Sequence, residues 1–343
     1  MKAVSAILTT VALVLLAGCG GAGRKTSLSG AEEPLEKGKI LFTVDFEEGQ
    51  TLEYKFVSRR TTTIDWDPTK STSRSDKSTI SQYPESLEMV VAYTPVEVNP
   101  YGLTIIRAAC KSAKVTRSES GSARTGMKDA VESLPGKTFT LAVGPTGRIG
   151  DYSQLEQLIQ EIGQKAFRQD STQGRVKAPD MIDDFIATQW FLWDSVSSVQ
   201  TPSTGVSVGE TWGSQLSIPT SMVLRKARDV TYRLDEVRQS EKGRLAVIRS
   251  SYKVAESVPS AWPIPYSGRF QLSGPLGFIR TFAKGFDILD LQGQGEELFN
   301  IDAGRIEQYS QSYQMRLQAT SMPLPGAKPQ LTIKQNLTMQ LLK

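Results

Sequence analysis

The strongest constraint on the fold is a two-residue alternation of apolar and polar side chains in several long segments. Near the C-terminus, polar residues separate five apolar residues that share one face: Leu331, Ile333, Leu337, Met339 and Leu341. Successive side chains of a β-strand point to opposite faces, so such a segment buries one face and exposes the other. This habit is typical of antiparallel sheets, and it predicts a mostly β protein.

Turn residues join these segments into hairpins. Asn99-Pro100-Tyr101-Gly102 is a strong turn signal, and Lys242-Gly243 is a second one. Asparagine, proline and glycine favour the backbone conformations that tight turns require. The predicted strand pairs are 86–98 with 103–116 and 229–238 with 244–255.

Only the middle of the chain has the period of a helix. Leu155 and the apolar residues that follow it to Ala166 recur at helical spacing. A second helix is predicted to begin at Pro179 and Asp180 and to carry several aromatic residues. We expect these two helices to form a connector over residues 151–205.

Two short sequences recur on either side of this connector. Residues 147–157, which begin Gly-Arg-Ile, match residues 304–314 at most positions, and residues 48–52 resemble residues 208–212. Ordered repeats of this kind indicate an internal duplication. The predicted fold is therefore α+β, mostly antiparallel β, with duplicated β-rich halves at 38–150 and 206–343 joined by a central helical pair.

The repeated Gly-Arg-Ile element has two interpretations. In one, Arg148 and Arg305 form a paired clamp for an anion. In the other, glycine makes a turn that needs a positive φ, isoleucine enters the core, and arginine and tyrosine cover its edge. Recurrence in both halves favours the second interpretation.

The N-terminus has the features of a secretion signal. Lys2 is followed by an apolar run from Ala6 to Ala17, which is too short for a comfortable bilayer span. The run ends in Leu16-Ala17-Gly18-Cys19, which resembles the lipobox of bacterial lipoproteins. This resemblance implies that residues 1–18 are removed and that Cys19 is acylated on its thiol and its amine, with palmitate among the acyl chains. Several buried acyl chains would anchor the protein stably in a membrane.

Residues 19–37 follow the lipidation site as a tether rich in glycine, serine and glutamate, a composition typical of flexible linkers. Gly20 stands where an aspartate would favour retention in the inner membrane. The lipoprotein resemblance therefore implies the outer membrane, facing the periplasm, if the host is Gram-negative. The first expected partner is the membrane itself.

Composition excludes several kinds of chemistry. The chain has no histidine, which excludes Ser-His-Asp catalysis, Cys-His catalysis and histidine-ligated zinc. A formal net charge of +4 is too balanced to demand a nucleic-acid partner. Gly293-x-Gly295 lacks the Lys-Ser/Thr ending of a phosphate-binding loop. We expect a protein that is not an enzyme and has no cofactor or metal.

Aromatic residues suggest where a ligand could bind. Trp190 and Trp193 lie in the second predicted helix, and Trp262 lies in a proline-rich loop. They either plug the core face of the sheet or line an apolar pocket between the sheet and its helices. Both interpretations remain open at the level of sequence.

The part of the chain after Cys19 resembles uncharacterised envelope lipoproteins built from two β-rich halves. The best points of this resemblance are Gly209-Glu210-Thr211-Trp212 and the Gly-Arg-Ile elements. It brings no catalytic motif. The expected function is a non-enzymatic, lipid-anchored envelope lipoprotein that binds a hydrophobic or extended ligand on a sheet face.

Two alternatives come from other functional classes. The first is a scaffolding lipoprotein that contacts envelope proteins through strand edges or through loops 59–81 and 116–130. The second is a histidine-free hydrolase that uses paired carboxylates, for which Asp183 and Asp184 are one candidate pair.

Overall fold

In the part of the chain that the structure describes, eleven antiparallel strands form one continuous sheet. The computed structural model describes residues 38–68, 80–117, 128–145, 147–166, 205–217, 227–257, 285–320 and 328–343, and residues 181–189 except 183 and 187. The strands are β1 Leu52–Asp65, β2 Ile80–Val98, β3 Thr104–Arg117, β4 Thr138–Val143, β5 Ile149–Asp151, β6 Thr211–Ser217, β7 Ala227–Ser240, β8 Gly243–Val254, β9 Gly285–Asn300, β10 Arg305–Thr320 and β11 Gln330–Leu341. Their order across the sheet is β5-β4-β3-β2-β1-β11-β10-β9-β8-β7-β6.

The predicted hairpins are confirmed. β2 pairs with β3, and β7 pairs with β8, both antiparallel. In the β2–β3 turn the Asn99 side-chain oxygen accepts hydrogen bonds from the backbone amides of Tyr101 and Leu103, each at 2.9 Å. Gly102 has a φ of 80°, which a glycine adopts without strain.

The predicted division into duplicated halves is wrong. β1 pairs with β11 from Tyr54 opposite Leu341 to Asp65 opposite Gln330, so strands from both ends of the chain meet in the middle of the sheet. This pairing merges all eleven strands into one sheet. The alternating pattern correctly marks the strands, but it is local and cannot specify a partner that lies far away in the sequence.

The predicted α+β class with a central helical pair is also wrong, because the described helical residues lie against the sheet rather than between two bodies. Helix α1, Ser153–Ala166, contacts β4 and adds Leu155 to the core. A 3-10 helix covers Ala130–Ser133. The described part of 181–189 includes helical residues. Its Phe185 ring packs edge-on against Phe139 of β4, with ring centroids 6.1 Å apart.

The two faces of the sheet differ in chemistry. One face, called the covered face here, holds the buried apolar core, which includes Phe56, Met89, Ile106, Leu317 and Ile333. The other, called the open face, holds mostly exposed or half-buried side chains at the alternate positions. No helix in the described ranges is long and apolar enough to cross a membrane.

Candidate functional site

The open face contains a hollow of about 740 Å³ over strands β6 to β11. Its lining residues are polar or glycine: Thr211, Thr231, Arg233, Arg249, Ser250, Ser251, Gln294, Gly295, Glu296, Ser310, Gln311, Ser312, Asn336 and Thr338. Among these described lining residues there is no apolar side chain. The hollow therefore suits a hydrogen-bonding ligand better than a lipid.

Strand register builds the centre of the hollow. One residue from each of five neighbouring strands stands directly opposite the next, and together they form what we call the hydroxyl–amide row. The row is Thr231, Ser251, Gln294, Ser312 and Asn336. Because neighbouring strands lie about 4.8 Å apart, the row presents a hydroxyl or amide at each step over about 19 Å.

Charged side chains lie beside the hydroxyl–amide row, and their positive and negative charges are paired with one another. Arg249 lies 3.0 Å from Asp235 and 3.5 Å from Glu296. Arg233 also hydrogen-bonds Asp235. Asp235 lies at an irregularity of β7, where the pairing with β8 shifts register between Leu234 and Glu236. Two arginines thus face two carboxylates.

The hydrogen bond between Arg233 and Asp235 also sets their ionisation. It raises the pKa of Arg233 and lowers the pKa of Asp235. Both side chains are therefore charged near neutral pH. The charges beside the hydroxyl–amide row balance, and the hollow presents no strong excess of either sign.

A different polar cluster lies on the covered face, over strands β1 to β3 rather than behind the hollow. Arg60, Glu85 and Arg117 stand opposite one another on β1, β2 and β3. Arg60 contacts Glu85 at 3.1 Å and also pairs with Asp184 from the segment 181–189. Arg117 contacts Glu85 at 2.8 Å and pairs with Asp129. We call these five residues the buried ionic row.

Hydrogen bonds extend the buried ionic row toward β10. Gln335 donates to Asp184 at 3.0 Å and to the Ser58 hydroxyl at 2.7 Å, and Ser58 donates to Asp184 at 2.6 Å. The Tyr313 hydroxyl donates to Gln335. The network therefore links the segment around Asp184 directly to β1 and β11, and through them to β2, β3 and β10.

Burial controls ionisation in this network. Desolvation alone lowers the pKa of Arg60, but Asp184 and Glu85 more than offset it, so the pKa is raised. Desolvation raises the pKa of Asp184, although Arg60 and Ser58 act in the opposite direction. The Arg60 side chain has 0% exposure and that of Asp184 has 2%. These groups cannot meet a ligand from solvent, so their role is structural.

One glycine in β9 explains how a bulky side chain of the neighbouring strand β8 packs against the sheet. The Tyr252 ring lies over Gly293, where an added Cβ would meet the ring at 2.0 Å. The Tyr252 hydroxyl donates to the Gln294 carbonyl at 2.8 Å, and its ring faces the Arg228 guanidinium at 4.5 Å. Burial raises the pKa of Tyr252 to about 12, which keeps the phenol protonated as a donor. Gly293 thus leaves the space that the Tyr252 ring occupies, so this glycine has a packing role.

Several residues singled out from the sequence lie outside the described residues. Cys19, Trp190, Trp193 and Trp262 all fall there, so the apolar pocket proposed for the three tryptophans stays a prediction. Of the candidate carboxylates, Asp183 also lies there, and Asp184 belongs to the buried ionic row. In the described ranges, no group of three or more His, Cys, Asp or Glu side chains could hold a metal ion.

The structure decides between the two interpretations of the Gly-Arg-Ile element. Gly147 and Gly304 have φ values of 79° and 57°, and the isoleucines that follow, Ile149 and Ile306, are buried. The glycine turn and the core position of the isoleucine are confirmed, whereas Tyr309 is itself buried in the core rather than at its edge. The paired anion clamp is wrong, because Arg148 precedes the edge strand β5 whereas Arg305 begins β10, and five strands lie between β5 and β10.

Neither the hydroxyl–amide row nor the buried ionic row was predicted from the sequence. For the first there is no local signal, since serine, glutamine and asparagine are ordinary residues for an exposed strand face. The buried ionic row does have a local signal in the sequence. Arg60 lies on the same strand face as the apolar residues Phe56 and Ile64 of β1. A charged residue at a core-facing position indicates a buried partner.

Comparison with known proteins gives limited matches. Residues 104–248, from β3 into β8, match the profile of a family of unknown function (DUF6263). No curated protein matches the chain.

Three solved structures are similar at low identity. Lipovitellin, studied for lipid–protein interactions, has a TM-score of 0.44 and 10% identity over 87% of this chain, which spans 26% of the lipovitellin chain. OpdL of Pseudomonas aeruginosa has a TM-score of 0.19 and 8% identity, over 86% of this chain and 99% of its own. A conserved hot dog fold protein of unknown function from Alicyclobacillus acidocaldarius has a TM-score of 0.11 and 10% identity, over 86% of this chain and 80% of its own.

Proposed function

We propose that this chain is a lipid-anchored, non-enzymatic protein of the bacterial cell envelope that holds an extended, polar ligand on the open face of its sheet. The observation that carries the binding function is the hollow of about 740 Å³, whose described lining residues are all polar or glycine. The anchor rests on Leu16-Ala17-Gly18-Cys19. Location in the outer membrane, facing the periplasm of a Gram-negative host, belongs to the same proposal.

The chemistry of the two faces supports an extended polar ligand over a hydrophobic one. Apolar side chains such as Phe56 and Ile333 of the covered face are already buried in the core. The hollow instead offers donors and acceptors on neighbouring strands, in a line rather than around a point. A ligand that extends across the strands can satisfy several of these groups together, which a compact molecule cannot do.

The anchor leads to a direct prediction for Cys19→Ser. Without the thiol no diacyl group can be attached, so the variant is expected to leave the membrane fraction. The measurement is fractionation of the expressing bacterium followed by detection of the protein in the membrane and soluble fractions. Gly20→Ser is the matched control, since it keeps the thiol, and it should remain in the membrane. A Cys19→Ser protein that still sediments with membranes would exclude this anchor.

The binding function is tested by a photo-crosslinking residue in the hollow. We expect p-benzoylphenylalanine in place of Ser312, at the centre of the hydroxyl–amide row, to give a covalent adduct when intact cells are irradiated. The same residue in place of Tyr101, which is 89% exposed in the β2–β3 turn, is the control for random collision. An adduct at position 312 alone supports a ligand site. No adduct at 312, or equal adducts at both positions, contradicts it.

A further inference from the structure

The ligand class can be narrowed from the hydroxyl–amide row, on the assumption that the proposed binding function holds. We infer that the hollow binds a single uncharged glycan strand of extended, β-linked sugar units, which lies across strands β7 to β11. The residues that would contact it are Thr231, Ser251, Gln294, Ser312 and Asn336.

The spacing of the row is the first argument. The five side chains recur at the inter-strand distance of about 4.8 Å. One sugar unit of an extended β-linked glycan has a similar length, so successive units of one strand can meet successive side chains. Each sugar presents several hydroxyls, and hydroxyl and amide side chains both donate and accept hydrogen bonds. The row and an extended β-linked glycan therefore match both in their spacing and in the hydrogen-bonding groups that recur at each step.

Charge supplies the second argument. Arg233 and Arg249 stand next to the row, but Asp235 and Glu296 lie against them. A nucleic acid or another polyanion would require cationic side chains without such compensation, and usually aromatic platforms for its bases. The described lining residues include no aromatic side chain. The compensated hollow favours a neutral polymer.

The direction of the row is the third argument, because it separates a glycan from a peptide. Extended peptides usually join a sheet by adding a strand to its edge, where backbone amides and carbonyls are available. Here the row runs across the strands and consists of side chains on a sheet face. A polymer with hydroxyls along its length fits that direction better than a peptide backbone does.

The test is a calorimetric titration of the full chain in detergent with β-1,4-linked N-acetylglucosamine oligomers of two to six units. The hexamer is expected to bind at least about tenfold more tightly than the dimer, because it can engage more of the row at one time. Maltohexaose, an α-linked glucose hexamer that curls rather than extends, is expected to bind at least about tenfold more weakly than the β-linked hexamer.

A double variant locates the binding. Gln294→Ala with Asn336→Ala removes two side chains of the row and is expected to weaken hexamer binding by about tenfold or more. Gln314→Ala changes an exposed residue of β10 outside the hollow and should leave binding unchanged. Absence of hexamer binding, or equal losses in both variants, overturns the glycan assignment.

Failure of the glycan assignment is distinguishable from failure of the binding function. If position 312 crosslinks specifically but the adduct is a protein or lacks sugar, the ligand site stands and the glycan assignment falls. If position 312 gives no specific adduct, the ligand site itself fails and the glycan assignment falls with it.

Discussion

Replacing Arg60 by methionine is expected to lower the free energy of unfolding by about 3–5 kcal/mol at pH 7. Methionine keeps much of the apolar stem but removes the charge that faces Asp184 and Glu85. Glu85 retains Arg117 at 2.8 Å, whereas the hydrogen bonds that Asp184 keeps come from neutral groups, the Ser58 hydroxyl and the Gln335 amide. A carboxylate buried without its cation is costly, and that cost dominates the expected loss. Urea unfolding of the full chain measures it.

Arg59→Met is the matched control for this prediction. Arg59 is the neighbouring residue of the same strand but lies exposed on the open face. Its replacement is expected to change stability by no more than about 0.5 kcal/mol. Equal effects of the two substitutions would show that the buried ionic row does not hold Arg60 as described.

The cost of Arg60→Met should also depend on pH with a definite sign. Burial raises the pKa of Asp184 above its usual 3.8 in the folded protein, so the folded state retains the proton over a range where the unfolded state has lost it. The contribution of Asp184 to the free energy of unfolding therefore falls as pH rises through that range. Loss of Arg60 raises the pKa further, so the variant should differ least from the wild type near pH 4 and most near pH 8.

If Arg60→Met does not fold, a neutralised variant keeps the prediction testable. Adding Asp184→Asn removes the carboxylate that lost its cation. The double variant is expected to be more stable than Arg60→Met alone, because a neutral buried amide costs less than an uncompensated charge. A double variant that is no more stable than Arg60→Met would contradict an ionic origin of the loss.

The sequence predicts the strands well because the alternation is a local property. The Asn99–Gly102 turn and helix α1 also follow from residues that are close in the chain. The pairing of β1 with β11 could not be predicted, since Tyr54 and Leu341 carry no mark that identifies them as partners. The assumed duplication therefore placed a boundary where the sheet is continuous.

The candidate sites show the same limit in different ways. Arg60 is visible in the sequence as a charged residue at a core position, but its partner Asp184 comes from a distant segment that the pattern does not bring to β1. Ser251, Gln294 and Asn336 each have the ordinary character of an exposed strand position. These residues are aligned only by the pairing of several strands. The hollow therefore cannot be predicted before the strand pairing is known.

Replacing Gly293 by alanine is expected to cost about 2–4 kcal/mol of unfolding free energy. The new Cβ would lie 2.0 Å from Tyr252 Cε2 and 2.8 Å from Tyr313 Cβ, so the Tyr252 ring must move. That movement would break its hydrogen bonds to the Gln294 carbonyl at 2.8 Å and to Gln311 at 3.2 Å. Thermal and urea unfolding of the full chain measure the loss.

Gly213→Ala separates this effect from the general consequence of placing alanine in a strand. The nearest atom to a Cβ at Gly213 is the Val230 carbonyl oxygen at 3.7 Å, an ordinary contact, so stability should change by no more than about 0.5 kcal/mol. Tyr252→Ala introduced together with Gly293→Ala should cost less than the sum of the two single changes, because the clash disappears with the ring. If Gly293→Ala is as stable as Gly213→Ala, or if the two changes at 252 and 293 are additive, the Tyr252 ring does not occupy the space that Gly293 leaves open.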